Sequence, residues 1–236
     1  MRWEEPACWY DVMNPWGSSD DFYLDLAMEA PSVLDVGCGT GTLLHQARAM
    51  GHSGRLCGLD PDPAMLGQAQ ARADIEWVLG DAASANWDRE FDLAVMTSHA
   101  FQVFVSDDEL LRSLRAIRAA LTDSGRFAFE TRNPSARAWE GWNTSYEVQN
   151  PDGETVQVTY AVQEVDNDVV RLSETLSGSW WTEDQTSYGA LRFLTADALS
   201  GFLETAGFSV EEQYGDWERG PLTDTSAEIV TIARRV

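Results

Sequence analysis

The sequence predicts an α/β fold: a seven-stranded, mostly parallel sheet with helices on both faces, plus an inserted antiparallel β meander. Apolar strand-like runs alternate with helical segments over residues 32–130, which favours βαβ units and a parallel sheet. Over residues 147–193, four strand-like runs follow one another with no helical pattern between them. A helix and two strands then follow. The 236 residues, 44% of them apolar, suffice for one such domain carrying an insert.

The parallel part of the sheet is predicted from local signals. Strands are expected at residues 32–36, 55–59, 75–79, 91–97 and 126–130. Helices are expected at residues 20–30, 43–50 and 64–73, with Pro31 and Gly51 as stop signals for the first two. A fourth helix begins after Ser106, whose hydroxyl can cap it, and acidic residues in its first turn complement the helix dipole. Ser124 and Gly125 are expected to end that helix.

The insert is predicted from turns rather than helices. Strands are expected at residues 147–149, 155–165, 169–181 and 187–193, separated by turn-forming residues at 150–153, 166–167 and 183–184. Thr195 then caps a helix at residues 196–206 that Gly207 ends, before strands near 208–214 and 228–233. This organisation divides the chain into an N-terminal helical cap (1–30), a main domain (31–138 and 194–236) and the insert (139–193).

Composition excludes several classes of function. The chain has 16 basic and 39 acidic residues, a net charge of −23, and every basic residue is Arg. Without Lys there is neither a Schiff-base lysine nor a Walker-type phosphate loop. An acidic surface repels nucleic acids and anionic membranes. The composition is typical either of a GC-rich genome or of adaptation to high salt.

Cysteine usage and hydropathy indicate the compartment. Three Cys without CxxC spacing predict neither a disulfide framework nor a metal site. No apolar run approaches about 18 residues, and the N-terminus carries acids where a signal peptide is apolar. We therefore expect a cytoplasmic protein without metal, membrane or nucleic-acid partners.

Acidic residues end three successive strands and frame a glycine-rich turn. Gly37, Gly39 and Gly41 form a tight strand-to-helix turn, but Thr42 follows where a dinucleotide fingerprint has its third glycine. Asp35 beside this turn would repel a phosphate and attract an amino group. Asp60, 23 residues after Gly37, is placed for ribose hydroxyls, and Asp81 can accept from an adenine amine. The implied ligand has an ammonium group, a ribose and an adenine, which describes S-adenosylmethionine.

The motifs resemble those of class I S-adenosylmethionine-dependent methyltransferases, of the type that modifies small molecules. The similar runs are, in order, VLDVGCGTG, GLDPDPAML, LGDAA, FDLAVMTSHAFQVF and LRAIRAALTDSGRFAFETRNP. The resemblance covers roughly residues 30–135 and 195–236. It implies a Rossmann-like sheet, S-adenosylmethionine as cofactor with S-adenosylhomocysteine as product, and methyl transfer to O or N of a small-molecule acceptor. The insert resembles the lid sheets of such enzymes, which cover the acceptor and often pack a homodimer.

The resemblance also implies roles for single residues. The expected cofactor-binding residues are Tyr10, Asp35, Gly37, Cys38, Gly39, Gly41, Asp60, Pro61, Met65, Asp81, Ala82, Ser98 and Gln102. Each has a structural alternative: Asp60 can cap the next helix, Asp81 can be a loop acid, and Met65 can be core packing.

The acceptor side is predicted from fewer signals. His99 directly follows a buried strand and is the only histidine we nominate as a catalytic base, needed if the acceptor is a hydroxyl. Alternatively, His99 does not touch the acceptor and instead positions another residue that does. Arg132 either orients a polar acceptor or pairs with nearby acids. Aromatic residues either line the acceptor pocket or bury the insert; those expected to bind the acceptor are Trp16, Trp139, Trp142 and Tyr188.

Three functions follow in order of preference. The first is a small-molecule methyltransferase whose acceptor is neutral or cationic, given the acidic composition. The second is a non-catalytic, regulatory S-adenosylmethionine-binding protein on the same fold. The third, an NAD-dependent oxidoreductase, is disfavoured by Asp35 and Thr42.

Overall fold

The computed structural model describes residues 3–236 and contains two sheets. The strands are β1 (Ser32–Val36), β2 (Arg55–Asp60), β3 (Glu76–Leu79), β4 (Phe91–Met96), β5 (Leu121–Arg132), β6 (Thr144–Gln149), β7 (Thr155–Asp166), β8 (Val169–Ser177), β9 (Gln185–Arg192), β10 (Phe208–Tyr214) and β11 (Glu228–Arg235). The α-helices are α1 (Tyr10–Met13), α2 (Ser18–Glu29), α3 (Thr42–Ala49), α4 (Pro63–Ala69), α5 (Asp107–Ala120) and α6 (Ala196–Ala206).

The main sheet has seven strands in the order β10-β11-β5-β4-β1-β2-β3. The strands from β5 to β3 in this order run parallel, while β11 is antiparallel to both β5 and β10. A separate antiparallel sheet has the order β6-β7-β8-β9; we call it the second sheet. The predicted fold class is confirmed, with one mostly parallel sheet and one inserted meander.

Helices cover both faces of the main sheet because each presents an apolar stripe to it. On one face, α5 and α6 bury leucines such as Leu110, Leu114 and Leu203 against the sheet. On the other, α2 and α3 bury Tyr23 and Leu44. The predicted caps are present: the hydroxyls of Ser106 and Thr195 accept backbone N–H bonds, and Gly207 ends α6 with a left-handed φ of +87°.

Some predicted boundaries were wrong. Helix α5 ends at Ala120, and Ser124 and Gly125 lie inside β5 instead of ending the helix. The glycine serves a close approach of two strands: a Cβ on Gly125 would lie 2.9 Å from the Leu121 side chain and 3.1 Å from the Phe91 carbonyl. The β4–β5 register shifts at this point, as in a bulge. Strand β8 ends at Ser177 rather than 181, and α4 ends at Ala69 rather than 73.

The N-terminal segment, residues 3–17, is packed on the second sheet. Trp9 is fully buried there and stacks on Trp180, with ring centroids 5.4 Å apart and planes 5° apart. Val156, Val158 and Leu176 of the second sheet complete this cluster. Within residues 3–30, a 3-10 helix at Pro6–Trp9 leads into α1, residues 14–17 are not helical, and α2 follows. Residues 1 and 2 of the expected cap lie outside the described part. No helix within residues 3–236 is long and apolar enough to cross a membrane.

Candidate functional site

A cavity of about 830 Å³ lies at the carboxyl ends of the parallel strands. This is the edge where open α/β sheets bind ligands. Its floor is formed by residues at the ends of β1, β2, β4 and β5, and residues of the N-terminal segment line it as well. The predicted residues that line it are Tyr10, Trp16, Asp35, Gly37, Cys38, Gly39, Asp60, Pro61, Met65, Asp81, Ala82, Ser98, His99 and Arg132.

The glycine turn after β1 adopts a backbone that favours glycine. Gly37, Gly39 and Gly41 have φ values of +77°, +54° and +77°. Gly37 and Gly39 line the cavity, whereas Gly41 does not. A Cβ on Gly41 would lie 2.3 Å from the Trp77 ring, so this glycine allows a helix and a strand to pack closely. Two of the three glycines are thus available to a ligand.

Asp35 is a buried carboxylate with an unused oxygen. Its side chain is 1% exposed, and its Oδ1 has no hydrogen-bond partner in the described chain. Burial, followed by the charges of Asp60 and Glu130, raises the pKa of Asp35 to about 8. A buried acceptor without a donor is costly, and an arriving cationic donor would relieve that cost. The carboxylate therefore favours an ammonium-bearing ligand.

Asp60 and Asp81 have different surroundings. The buried Asp60 carboxylate accepts N–H bonds from Gly39 and Asp62, both 2.8 Å long. The residue that caps α4 is Asp62, so Asp60 is not the helix cap. A carboxylate offers about four acceptor positions, which leaves room for hydroxyl donors. Asp81 is exposed and accepts the Ser84 N–H at 2.7 Å, so it stabilises its own loop while lining the cavity.

Ser98 and His99 form a constrained turn after β4. Both residues have left-handed backbones, with φ of +54° and +61°, which is uncommon outside glycine. The Glu130 carboxylate accepts the His99 backbone N–H at 2.6 Å and also the Tyr23 hydroxyl. Burial raises the pKa of Glu130. This buried acid thus holds the turn that presents His99 to the cavity.

The His99 ring is oriented by a distant acid. Its Nε2 lies 2.9 Å from Oε2 of Glu228, the first residue of β11. Neither Glu228 nor Glu130 is among the predicted site residues. The signal for Glu130 is a carboxylate inside an otherwise apolar strand end, FAFET, while nothing local marks Glu228.

Arg132 lines the cavity without an ionic partner. Its Nη1 donates to Oε1 of Gln102 at 3.1 Å, and its guanidinium carbon lies 5.0 Å from the centroid of the Trp142 ring. Burial lowers the pKa of Arg132. No acid lies within 4.0 Å of it among residues 3–236, so the alternative of pairing with acids is not realised. Gln102 is buried outside the cavity lining and donates to the Arg192 carbonyl.

Three predicted aromatic residues do not line the cavity: Trp139, Trp142 and Tyr188. Trp139 and Trp142 pack against Phe193, with centroid distances of 4.6 and 5.9 Å, and so bury the start of the insert. Tyr188 is 79% exposed on β9.

Tyr10 lines the cavity, and burial raises its pKa. Its neighbour Asp11 accepts the Thr40 hydroxyl at 2.6 Å, which fastens the N-terminal segment to the glycine turn.

Comparisons with known proteins agree with this geometry. Residues 33–125 match a family model described as a methyltransferase domain. The cypemycin N-terminal methyltransferase of a Streptomyces species is 24% identical over 221 residues, which are 88% of this chain and 84% of that protein.

Solved structures share the fold. A S-adenosylmethionine-dependent methyltransferase from Clostridium acetobutylicum superposes with a TM-score of 0.78 at 15% identity, covering 97% of both chains. CalS10, an amino pentose methyltransferase from Micromonospora echinaspora solved with S-adenosylmethionine bound, has a TM-score of 0.72 at 21% identity. The alignment covers 97% of this chain and 95% of CalS10.

Proposed function

We propose that this protein, a class I S-adenosylmethionine-dependent methyltransferase, methylates a nitrogen or oxygen atom of a small molecule. The observation that carries the cofactor assignment is the unused Oδ1 of buried Asp35 beside the glycine turn. S-adenosylmethionine brings an ammonium group, which fits this carboxylate, and no phosphate, which the carboxylate would repel. When bound, it supplies a methyl group on a positively charged sulfur.

The cofactor would be held by residues from three strand ends. Asp35 accepts from the ammonium group, and Gly37 and Gly39 let the backbone approach closely. Asp60 accepts from the ribose hydroxyls, and Met65, Asp81 and Ala82 surround the adenine. Tyr10 would close over the cofactor, a role supported by its place in the cavity lining.

Nitrogen is the favoured methyl acceptor. The similar cypemycin enzyme is named for an N-terminal substrate, and CalS10 for an amino pentose. An amine attacks only when neutral, so its proton must be removed. We propose that His99, which lines the cavity, takes that proton, and the contact of its Nε2 with Glu228 supports this role because it leaves Nδ1 as the free ring nitrogen.

A regulatory binding protein is the second candidate. It would need the cofactor end of the cavity but no space beyond it. Here the cavity continues to His99, Glu130 and Arg132 at the ends of β4 and β5, which supports room for an acceptor. The enzyme is therefore the better proposal.

Isothermal titration with S-adenosylmethionine tests the cofactor site. We expect binding to the wild type and at least about tenfold weaker binding to Asp60→Ala, because charged hydrogen bonds are lost. Asp123→Ala, in an exposed part of β5, is the matched control and should bind like the wild type. No binding to the wild type, or undiminished binding to Asp60→Ala, would reject the site.

The organisation of the chain is part of the proposal. We infer a cap at 1–30, a methyltransferase domain at 31–138 and 194–236, and a lid at 139–193 that covers the acceptor. We further propose a cytoplasmic homodimer that binds no nucleic acid, the last supported by the net charge of −23. Light scattering after gel filtration measures the assembly.

A further inference from the structure

The charged groups that line the cavity differ in whether they have hydrogen-bond or ion-pair partners. Eight acids line it, and Arg132 is the only Arg among the lining residues of the described chain. Most of these acids accept hydrogen bonds from neighbouring backbone or hydroxyl groups, namely Asp11, Asp20, Asp60, Asp62, Asp81 and Glu130. These carboxylates thus accept hydrogen bonds that stabilise their own loops and turns. The Arg132 guanidinium, in contrast, has no carboxylate partner among the described residues.

Arg132 lies directly across the β5–β11 ladder from Glu228, yet the two do not pair. Opposite charges at facing positions of antiparallel strands ordinarily attract one another. Here Glu228 instead contacts the His99 ring, and Arg132 has no acid within 4.0 Å in the described structure. Arg132 thus lines the cavity while the Glu228 carboxylate contacts His99, and Glu228 and Glu130 act on Arg132 only as nearby charges.

Neutral groups hold the Arg132 guanidinium in place. The Gln102 amide oxygen accepts from both the Arg132 backbone N–H, at 3.2 Å, and Nη1, at 3.1 Å. Gln102 is itself fixed by donating to the Arg192 carbonyl at 2.9 Å, and Trp142 lies against the guanidinium. These contacts position the group without neutralising it, and Nε and Nη2 have no hydrogen-bond partner within residues 3–236. A half-buried, oriented and unpaired guanidinium is suited to a planar anion.

We propose that Arg132 binds a carboxylate of the methyl acceptor, which is therefore a small amine that also carries a carboxyl group. This inference rests on the proposed function. Such a zwitterion has no net charge, so it can enter a cavity rich in acids. A phosphate, which carries nearly two negative charges, would be repelled by the same acids. The amine of the acceptor then lies on the side of His99 and Glu130, and its carboxylate lies toward Arg132.

Paired substrates test the inference. Wild-type protein is given S-adenosylmethionine and a panel of α-, β- and γ-amino acids, each alongside its carboxamide. We expect at least one acid to be methylated about 10- to 100-fold more efficiently, in kcat/KM, than its amide. Arg132→Met should remove that preference by lowering kcat/KM for the acid alone, and Arg132→Lys should restore part of it. Arg126→Met, on the same strand but outside the cavity lining, is the matched control.

Two outcomes would overturn the inference. One is that no acid in the panel is a better substrate than its amide. The other is that Arg132→Met lowers the methylation of acids and amides equally, as a general structural role predicts. Titration of S-adenosylhomocysteine into the same proteins separates this from a failure of the proposed function. If the wild type does not bind it, the cofactor assignment fails, and if all variants bind it normally, only the acceptor assignment is at issue.

Discussion

At the scale of single residues, the buried Asp35 carboxyl group with its unpartnered Oδ1 is the feature from which we expect the cavity to favour cationic ligands. Burial of a carboxylate in an apolar strand is unfavourable, and the charges of Asp60 and Glu130 add to the cost, so the Asp35 pKa rises to about 8. A ligand ammonium near Oδ1 would favour the ionised form. The free protein thus carries a stability cost that a cationic ligand relieves, which is a common property of binding sites.

Replacing Asp35 should therefore raise the stability of the folded protein while it weakens the binding of S-adenosylmethionine. Between about pH 4, the ordinary value for a carboxyl group, and pH 8, the folded state holds a proton that the unfolded state has released. Wild-type stability should consequently fall as pH rises through this range, whereas Asp35→Asn has no such proton. We expect the melting temperature of Asp35→Asn to exceed that of the wild type by an increasing margin from pH 5 to pH 8.

The same variant should bind S-adenosylmethionine at least about tenfold more weakly at pH 7.5. Thermal unfolding by circular dichroism and calorimetric titration measure the two effects. Asp123→Asn, the same substitution at an exposed position outside the cavity lining, is the control. A margin for Asp35→Asn that is constant with pH would contradict the assigned pKa.

At the scale of elements, the turn after β4 joins residues that are far apart in the chain. Glu130 of β5 holds the His99 backbone and the Tyr23 hydroxyl of α2, while Glu228 of β11 contacts the His99 ring. The strands β4, β5 and β11, and the place of His99 at a strand end, were predictable from the sequence. The two acids were not, because Glu228 is 129 residues from His99 and the contact depends on the β5–β11 register. No local pattern encodes that register.

Glu228→Gln tests whether this contact serves catalysis. A neutral amide can still meet the ring, but it no longer favours the tautomer in which Nε2 carries the proton. We expect kcat to fall about tenfold or more, within the range of general-base effects, while the KM of the acceptor and the affinity for the cofactor stay near wild type.

Steady-state kinetics with a labelled methyl group give both parameters for this test. Glu211→Gln breaks a surface ion pair with Arg234 on β10 and β11 and should leave kcat unchanged. If Glu228→Gln raises KM and lowers stability but leaves kcat intact, the contact is structural and His99 is not oriented by it.

At the scale of the whole molecule, local sequence signals predict the main sheet. They do not predict which aromatic residues pack around the cavity and which pack elsewhere. The glycine turn and each strand-end acid lie next to the end of a strand that apolar periodicity predicts, so periodicity and spacing locate them. The tryptophans do not follow such a pattern. Trp139 and Trp142 pack on Phe193 outside the cavity, whereas Trp9 and Trp180 join the N-terminal segment to the second sheet. Which rings meet is decided by tertiary packing.

The tryptophan cluster links the N-terminal segment, which lines the cavity, to the second sheet. Tyr10, Asp11 and Trp16 line the cavity, and Trp9 connects their segment to β7 and β8 through Trp180 and neighbouring apolar residues. Trp181 adds an Nε1 donor bond to the Glu4 carbonyl at 2.8 Å. Packing on the second sheet therefore holds the segment over the cavity together with the Asp11–Thr40 hydrogen bond to the glycine turn. We therefore expect local opening of the N-terminal segment and of the second sheet to occur together.

Trp180→Ala should therefore weaken cofactor binding although Trp180 does not line the cavity. We expect the affinity for S-adenosylhomocysteine to fall about tenfold and hydrogen exchange to quicken in residues 6–16 and in β7 and β8 together, because a large stacked ring is lost between them. Trp87→Ala is the matched control, since Trp87 packs edge-on against Phe91 on the main sheet. It should lower the melting temperature without changing that affinity. Equal losses of affinity in both variants would mean that global stability governs access to the cavity, and that the packing of the N-terminal segment on the second sheet does not.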